Sequence, residues 1–368
     1  MLYVFPDYYK EFVCLADACE DTCCAGWQIA VDEKALKRYK EEKGVFRKRL
    51  RACINWKEGT FKQSEDKRCA FLNEKNLCDM QLALGEKSLC KTCSRYPRHM
   101  EEYENVREIM LSLSCPEVAR LLLNHKKPVS LLTFEREKEE ELEDFDPFFY
   151  FELTESREVI RKILQDRSLP VDLRSGLVLG LAHDMQVRIN RQELFSCDEV
   201  RRKYQGENAR AFVRKKLEKE YADKEQCCRK AAEHFMKLHR LELLHEDWED
   251  HLRECEYLLY CGGAEKYSGW HGEFAKWLAE NMPDAGIMWE QLLVYFIDTY
   301  FCGAVYDGRV YAKVRMAVSS LFYIYEMLLA RWIKNEKTLD MEDVIMIVYR
   351  YSREVEHSDL NLERIEHF

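Results

Sequence analysis

Apolar residues recur at helical spacing along most of the chain beyond residue 148. Val159, Ile160, Ile163 and Leu164 share one face, and Ala211, Phe212, Leu217 and Tyr221 share another, the repeat expected of amphipathic helices. The later segments are longer. Ser268 reads as the N-cap of a helix through Trp270, Phe274, Trp277 and Leu278 that Pro283 stops, because a serine hydroxyl can satisfy a free first-turn N–H. Helices are then expected over 287–305, 309–333 and 340–356, with Asp307-Gly308 as a turn. No Val/Ile/Thr-rich alternating run suggests a sheet in this half, so it reads as a helical bundle.

The first 133 residues are patterned differently. Turn formers at Gly44, Gly59, 73–76, Gly85 and Tyr96-Pro97 interrupt short apolar runs. One helix is expected over 32–42, capped by Asp32 and ended before Gly44, and another from Pro116 to about Asn124, since proline suits the first helical position. Between 134 and 147 the sequence FEREKEEELEDFDP is nearly all charged, the pattern of a linker or a solvated helix tail. The expected fold is therefore mainly α: a cysteine-rich, loop-rich metal-binding module over 1–133, an acidic linker or helix tail over 134–147, and a helical domain over 148–368. A length of 368 residues, at roughly 150 residues per domain, agrees with two domains.

Two stretches, 287–305 and 314–329, are apolar enough to suggest membrane spans. Glu290, Gln291 and Asp298 interrupt the first, and Ser319, Ser320 and Glu326 the second, so both read as buried core helices and no membrane partner is expected. A formal charge of −10 argues against nucleic acid, because a polyanion rewards a basic surface. The opening MLYVFPDYYKEF lacks the basic patch, apolar run and cleavage site of a signal peptide. Reduced cytosol is the expected compartment.

The cysteines change the picture most. Ten of the 16 fall within residues 1–115. The arrangement is Cys14-x4-Cys19-x3-Cys23-Cys24, Cys69-x8-Cys78, Cys90-x2-Cys93, and Cys115 before a proline. Sulfurs gathered at such short intervals point to ligation of a metal ion or cluster, with Cys53 left outside the set. Only Cys90 and Cys93 form the C-x2-C knuckle typical of zinc, while all-cysteine ligation also suits an iron-sulfur cubane; nine candidates leave room for two sites. Adjacent Cys23 and Cys24 could serve different centres. The radical S-adenosylmethionine signature C-x3-C-x2-C begins at Cys19 and Cys23, but Gly26 stands at its third position. No glycine-rich loop announces a Rossmann-type methyl-donor pocket.

Three stretches, ACEDTCCAGW at 18–27, RCAFLNEKNLCDMQLALGEKSLCKTCSRYPRH at 68–99 and LSLSCPEVARLLL at 111–123, closely resemble the flagellin lysine-N-methylase family. VYDGRVYAKV at 305–314 and YSREVEHSDLNLE at 351–363 are similar to it as well. The N-terminal half also resembles a broader group of cysteine-rich zinc- or iron-chelating proteins. The resemblance implies a cytoplasmic methyltransferase that moves a methyl group from S-adenosylmethionine to lysines of flagellin, with a 4Fe-4S cluster (zinc as alternative or second site) among Cys14, Cys19, Cys23, Cys24, Cys69, Cys78, Cys90, Cys93 and Cys115.

Displacement at a sulfonium needs a neutral amine, whereas a free lysine has a pKa of about 10.4, so the site must strip or desolvate a proton. Aromatic faces that attract cations and carboxylates that orient the amine suit that task. Tyr351, Arg353, Glu354 and His357 supply such groups, with Arg353 and His357 four apart on one helical face, and are the candidate catalytic residues. Arg95, Tyr96 and Arg98 follow the knuckle and are the candidates for gripping the methyl donor's carboxylate. The competing reading is a non-catalytic zinc- or iron-binding structural or interaction protein; a redox or metal-delivery protein is a third.

Overall fold

The structure, a computed structural model, describes residues 1–137 and 145–368, so the centre of the expected acidic linker lies outside the described residues. The fold is mainly helical with some strands.

The N-terminal part holds a sheet where turns and loops were expected. Its four strands lie in the order Arg98–Tyr103, Val106–Leu111, Leu2–Pro6, Leu131–Glu135. The first two form an antiparallel hairpin with Tyr103 opposite Val106. Leu2–Pro6 runs parallel to Val106–Leu111, with Leu2 opposite Val106, and antiparallel to Leu131–Glu135, with Val4 opposite Thr133. These partners lie about a hundred residues apart in the chain, so no local alternation announces them.

Elsewhere local chemistry decides the elements. Asp32 accepts from the Ala35 N–H and starts the Glu33–Glu41 helix, and Pro116 opens Pro116–Asn124. Asp340 and Asp343 form a reciprocal capping box on Met341–Glu356, satisfying two N–H groups that a helix start leaves free. Gly308, at φ 70°, turns the chain into Val310–Lys334. The helix expected to begin at Ser268 begins earlier, spanning Ala264–Asn281, because Gly263 at φ 79° breaks the chain there. The helix expected over 287–305 spans Ala285–Tyr300.

Two cores result. A small one gathers Ile29, Tyr39, Leu50, Phe61, Phe71, Met80, Cys69 and Cys90. The large one joins the inner face of the sheet and Pro116–Asn124 to the helical bundle, through residues such as Leu111, Leu122, Leu153, Leu292 and Ile345. Glu108 on the sheet and Arg157 on Pro147–Leu164 form a buried two-pronged ion pair at 2.5 and 2.6 Å across this junction. Val310–Lys334 is, among the described residues, the one helix long and apolar enough to cross a membrane, yet 72% of its apolar window is buried inside the fold. It packs against Val171–Asn190, Trp248–Tyr260 and Ala285–Tyr300 as the centre of the bundle.

Candidate functional site

Where the two cores meet, a cavity of ≈ 500 Å³ opens between the 12–29 segment, the 76–98 segment, the start of Pro116–Asn124 and Arg353 of Met341–Glu356. Seven of the nine cysteines singled out by spacing line it: Cys14, Cys19, Cys23, Cys24, Cys78, Cys93 and Cys115. Cys69 and Cys90 sit behind its wall in the small core, 6% and 0% exposed. The Cys69 N–H donates to the Cys24 carbonyl at 2.8 Å, which ties the two cysteine loops together. Cys53 packs against that core without lining the cavity, its thiol toward the Ala70 carbonyl.

Cys78, Cys90 and Cys115 each occupy the residue just before a helix, where free N–H groups favour a negatively charged sulfur. Burial nevertheless raises the Cys115 thiol to about 11, against the pull of the Val118 and Glu117 N–H groups. Two thiols go the other way. Cys24 falls to about 7 because Cys23 donates to it, and Cys90 falls to about 7 because Cys93 donates to it; the two donors are raised. Among the described residues, no three or more His, Cys, Asp or Glu side chains are gathered closely enough to hold a metal ion. The assembled centre expected from the spacing is thus not what stands here: Cys23 pairs with Cys24 on the wall, Cys93 pairs with Cys90 behind it, and Cys69 and Cys90 turn into the core. All 16 cysteines are free.

Arg353 connects the cavity to the bundle. It is 2% exposed. Its guanidinium binds the Asp21 carboxylate at 2.6 Å, the Asp21 carbonyl at 2.8 Å and the Ser114 carbonyl at 2.9 Å, holding the Cys19–Cys23 loop against the turn that carries Cys115. Glu354, 1% exposed, accepts from the N–H groups of Leu244 and His245 at 3.0 and 2.8 Å and from the His245 ring. That ring presses on Gly26: a Cβ there would lie 2.5 Å from Nε2, and Gly26 is at φ 87°. Glycine is needed on both counts.

His357 ends the helix with its ring 4.7 Å from Trp27 and 6.1 Å from Tyr96, centroid to centroid. Burial depresses it to about 3. Tyr351 is fully buried in the bundle and donates to Ser320, away from the cavity. Tyr96 and Arg98 line the cavity, whereas Arg95 is exposed outside it. Arg98 donates through Nε to the Tyr9 hydroxyl at 2.8 Å and lies 5.8 Å from the Phe12 ring centre.

Several groups at this junction carried no signal of their own in the sequence: Asp21, Trp27, His245 and, above all, Glu356. The Glu356 carboxylate accepts from Tyr295 at 2.5 Å, Tyr300 at 2.8 Å, Ser112 at 3.5 Å and also Ser352. Burial pushes it up from the ordinary carboxylate range.

Comparison with known proteins gives a consistent family. Residues 157–368 match the family model of the FliB lysine N-methylase C-terminal domain. The chain is 34% identical over 134 residues to a flagellar biosynthetic protein FliU of Salmonella muenchen, a match covering 34% of this chain and 79% of that protein. It is likewise 34% identical over 134 residues to lysine-N-methylases of Salmonella typhimurium and Salmonella choleraesuis, covering 34% of this chain and 33% of each of those proteins. The match thus spans about a third of the length of these two relatives. No solved structure matches the chain.

Proposed function

The chain belongs to the FliB lysine N-methylase family, and on that premise we propose that it is a cytoplasmic protein lysine N-methyltransferase moving methyl groups from S-adenosylmethionine to flagellin. The observation that carries this reading is the cavity itself, where thiols, a guanidinium and aromatic faces share ≈ 500 Å³, a volume in the range of small-molecule sites. The names borne by the relatives, lysine-N-methylase and flagellar biosynthetic protein, support a lysine in a flagellar protein as the target.

An iron-sulfur cluster is the cofactor this reading carries, because soft sulfur ligands select such centres; as they stand the thiols are not gathered closely enough to hold one, so the cavity loops would have to draw them together. Cys14, Cys19, Cys23, Cys24, Cys78, Cys93 and Cys115 are the residues that would hold it. When bound, a cluster of this kind supplies an iron centre able to exchange an electron or act as a Lewis acid. For the methyl donor, the N–H groups of Arg98 beyond the one held by Tyr9 form a fork suited to a carboxylate. Trp27 and Tyr96 offer faces that attract a sulfonium, and Arg95 adds positive charge outside the cavity. Arg353 and Glu354 act by position, fixing the cysteine loop and His245. Tyr351 braces the same helix against the bundle. Burial depresses His357 to about 3, so it stays neutral at working pH, and its role in this reading is to hold the Trp27 and Tyr96 rings in place.

One observation favours a second reading, a structural zinc protein without catalysis: Cys24, Cys78 and Cys93 pack on the small core that contains Cys69 and Cys90. Iron, sulfide and zinc analysis of protein purified without oxygen, followed by S-adenosylmethionine titration of the same sample, separates the two. Iron and sulfide with donor binding supports the methylase; zinc alone with no donor binding leaves the structural module.

A further inference from the structure

Resting on the methyltransferase reading, a question of proton balance follows. The substrate lysine enters as an ammonium and must lose a proton before its nitrogen lone pair can attack. The His357 ring packs on Trp27 and Tyr96 and does not line the cavity. The cavity wall offers another route. Tyr96 lines the cavity, and its hydroxyl lies 3.1 Å from the Ser114 hydroxyl, which lies 2.7 Å from that of Ser112, which in turn reaches Glu356 at 3.5 Å. Beyond Glu356, the Tyr300 hydroxyl donates to the same carboxylate oxygen at 2.8 Å. The His99 ring packs 5.5 Å from the Tyr300 ring and pairs with Glu101 at 2.8 Å, at side-chain exposures of 30% and 36%. A file of hydroxyls therefore joins Tyr96, on the cavity wall, to the Glu356 carboxylate.

We propose that Glu356 is the internal proton acceptor for lysine deprotonation, working through the Tyr96–Ser114–Ser112 relay and holding the proton on its carboxylate. The amine proton passes to the Tyr96 oxygen while the tyrosine's own proton moves to Ser114, that of Ser114 to Ser112, and that of Ser112 to the Glu356 carboxylate. The freed lone pair forms the N–CH3 bond as the S–CH3 bond breaks, its electron pair staying on the sulfur. The sulfonium becomes a neutral thioether, and the product is a methylammonium. No other reactant is needed.

The surroundings of Glu356 suit an acceptor. Tyr295 and Tyr300 face it from Ala285–Tyr300, His99 and Glu101 from Arg98–Tyr103, Ser112 from the turn after Val106–Leu111, Ser352 from its own helix, and Asp359 lies close enough to act on His99. Burial raises its carboxyl while the two tyrosines pull it down. Glu356 acts through other groups and is a positioning residue for the proton, so its test must read protons.

The experiment uses the full chain with E356Q, and with S112A as a variant that cuts the relay while leaving the tyrosines on the carboxylate. Three quantities are measured: S-adenosylmethionine affinity, the single-turnover rate of flagellin methylation against pH, and the infrared carboxyl band of Glu356 during a pH titration. Both variants are expected to keep donor affinity within about twofold and to slow methylation about 100-fold near neutrality, the usual size of a lost proton-transfer group. The deficit should shrink as pH rises and the free amine becomes abundant. A band absent in E356Q should titrate in wild type and shift in S112A. Parallel pH profiles for wild type and variants overturn the relay. If wild type transfers no methyl group, the methyltransferase reading fails by itself. The infrared titration then decides the relay alone, and a band unmoved by S112A overturns it.

Discussion

Replacing Arg353 by alanine removes three charge-assisted contacts at once, from a side chain only 2% exposed, and all three reach segments that carry cavity cysteines. Hydrogen bonds to a charged group contribute roughly 1.5–3 kcal/mol each, and breaking a buried ion pair costs about 3–5 kcal/mol. The lower end applies here because the Asp21 side chain keeps 34% of its surface exposed and can rehydrate. A cost of about 3 kcal/mol is therefore expected, localised to the Cys19–Cys23 loop rather than spread over the bundle. At about 1.4 kcal/mol per tenfold, local opening should become roughly 100-fold more frequent. The assay is thiol labelling of the reduced protein under conditions where labelling follows opening, read by peptide mass. Cys19 and Cys23 should label about 100-fold faster in R353A, while Cys197 and Cys255, buried in the bundle, keep their rates. R353K, which retains charge but not the planar fork, should fall between. Equal labelling of Cys23 in wild type and R353A refutes the staple.

Gly26→Ala places a Cβ against His245 at a positive φ; a loss of about 2 kcal/mol is expected in thermal or denaturant unfolding, with backbone strain of order 1–3 kcal/mol as its basis. Adding His245→Ala should recover the steric part only. His357 titrates with a clear sign. The folded state holds it neutral down to about 3, whereas the unfolded chain takes up its proton below about 6.5. Its contribution is therefore complete above pH 6.5 and lost as pH falls from there toward 3, amounting to about 2 kcal/mol by pH 5 at about 1.4 kcal/mol per unit. His357→Phe should flatten the stability curve over that window; an unchanged slope contradicts the assignment. Tyr351→Phe removes the hydroxyl donated to Ser320 and should cost about 1 kcal/mol of stability, measured by denaturant unfolding, with the donor affinity unchanged.

How much of this was legible beforehand depends on how local each cause is. Asp32, Pro116, the Asp340 cap and Gly308 act within a turn of their own positions, and those elements appear where they were expected. Ser268 misled because a good cap residue can also sit inside a helix, and Gly263 five residues earlier made the actual break. The sheet escaped notice because RHMEEY at 98–103 contains no β-branched residue and because Leu2–Pro6 is held by strands at 106–111 and 131–135. For the site, cysteine spacing pointed to the segments that form the cavity, since sequence neighbours must share a loop. It could not tell the seven wall thiols from Cys69 and Cys90, which differ only in which way the small core turns them. Asp21, His245 and Glu356 matter through partners more than 50 residues away along the chain, and such pairings leave no periodic mark.

The most direct test of the central claim is mass spectrometry of flagellin after incubation with the full chain, isolated without oxygen, and S-adenosylmethionine. Flagellin lysines gaining the mass of a methyl group, with the gain lost on removal of the metal and in E356Q near neutral pH, is the predicted result. Unmodified flagellin in the presence of metal-loaded, donor-binding protein contradicts it.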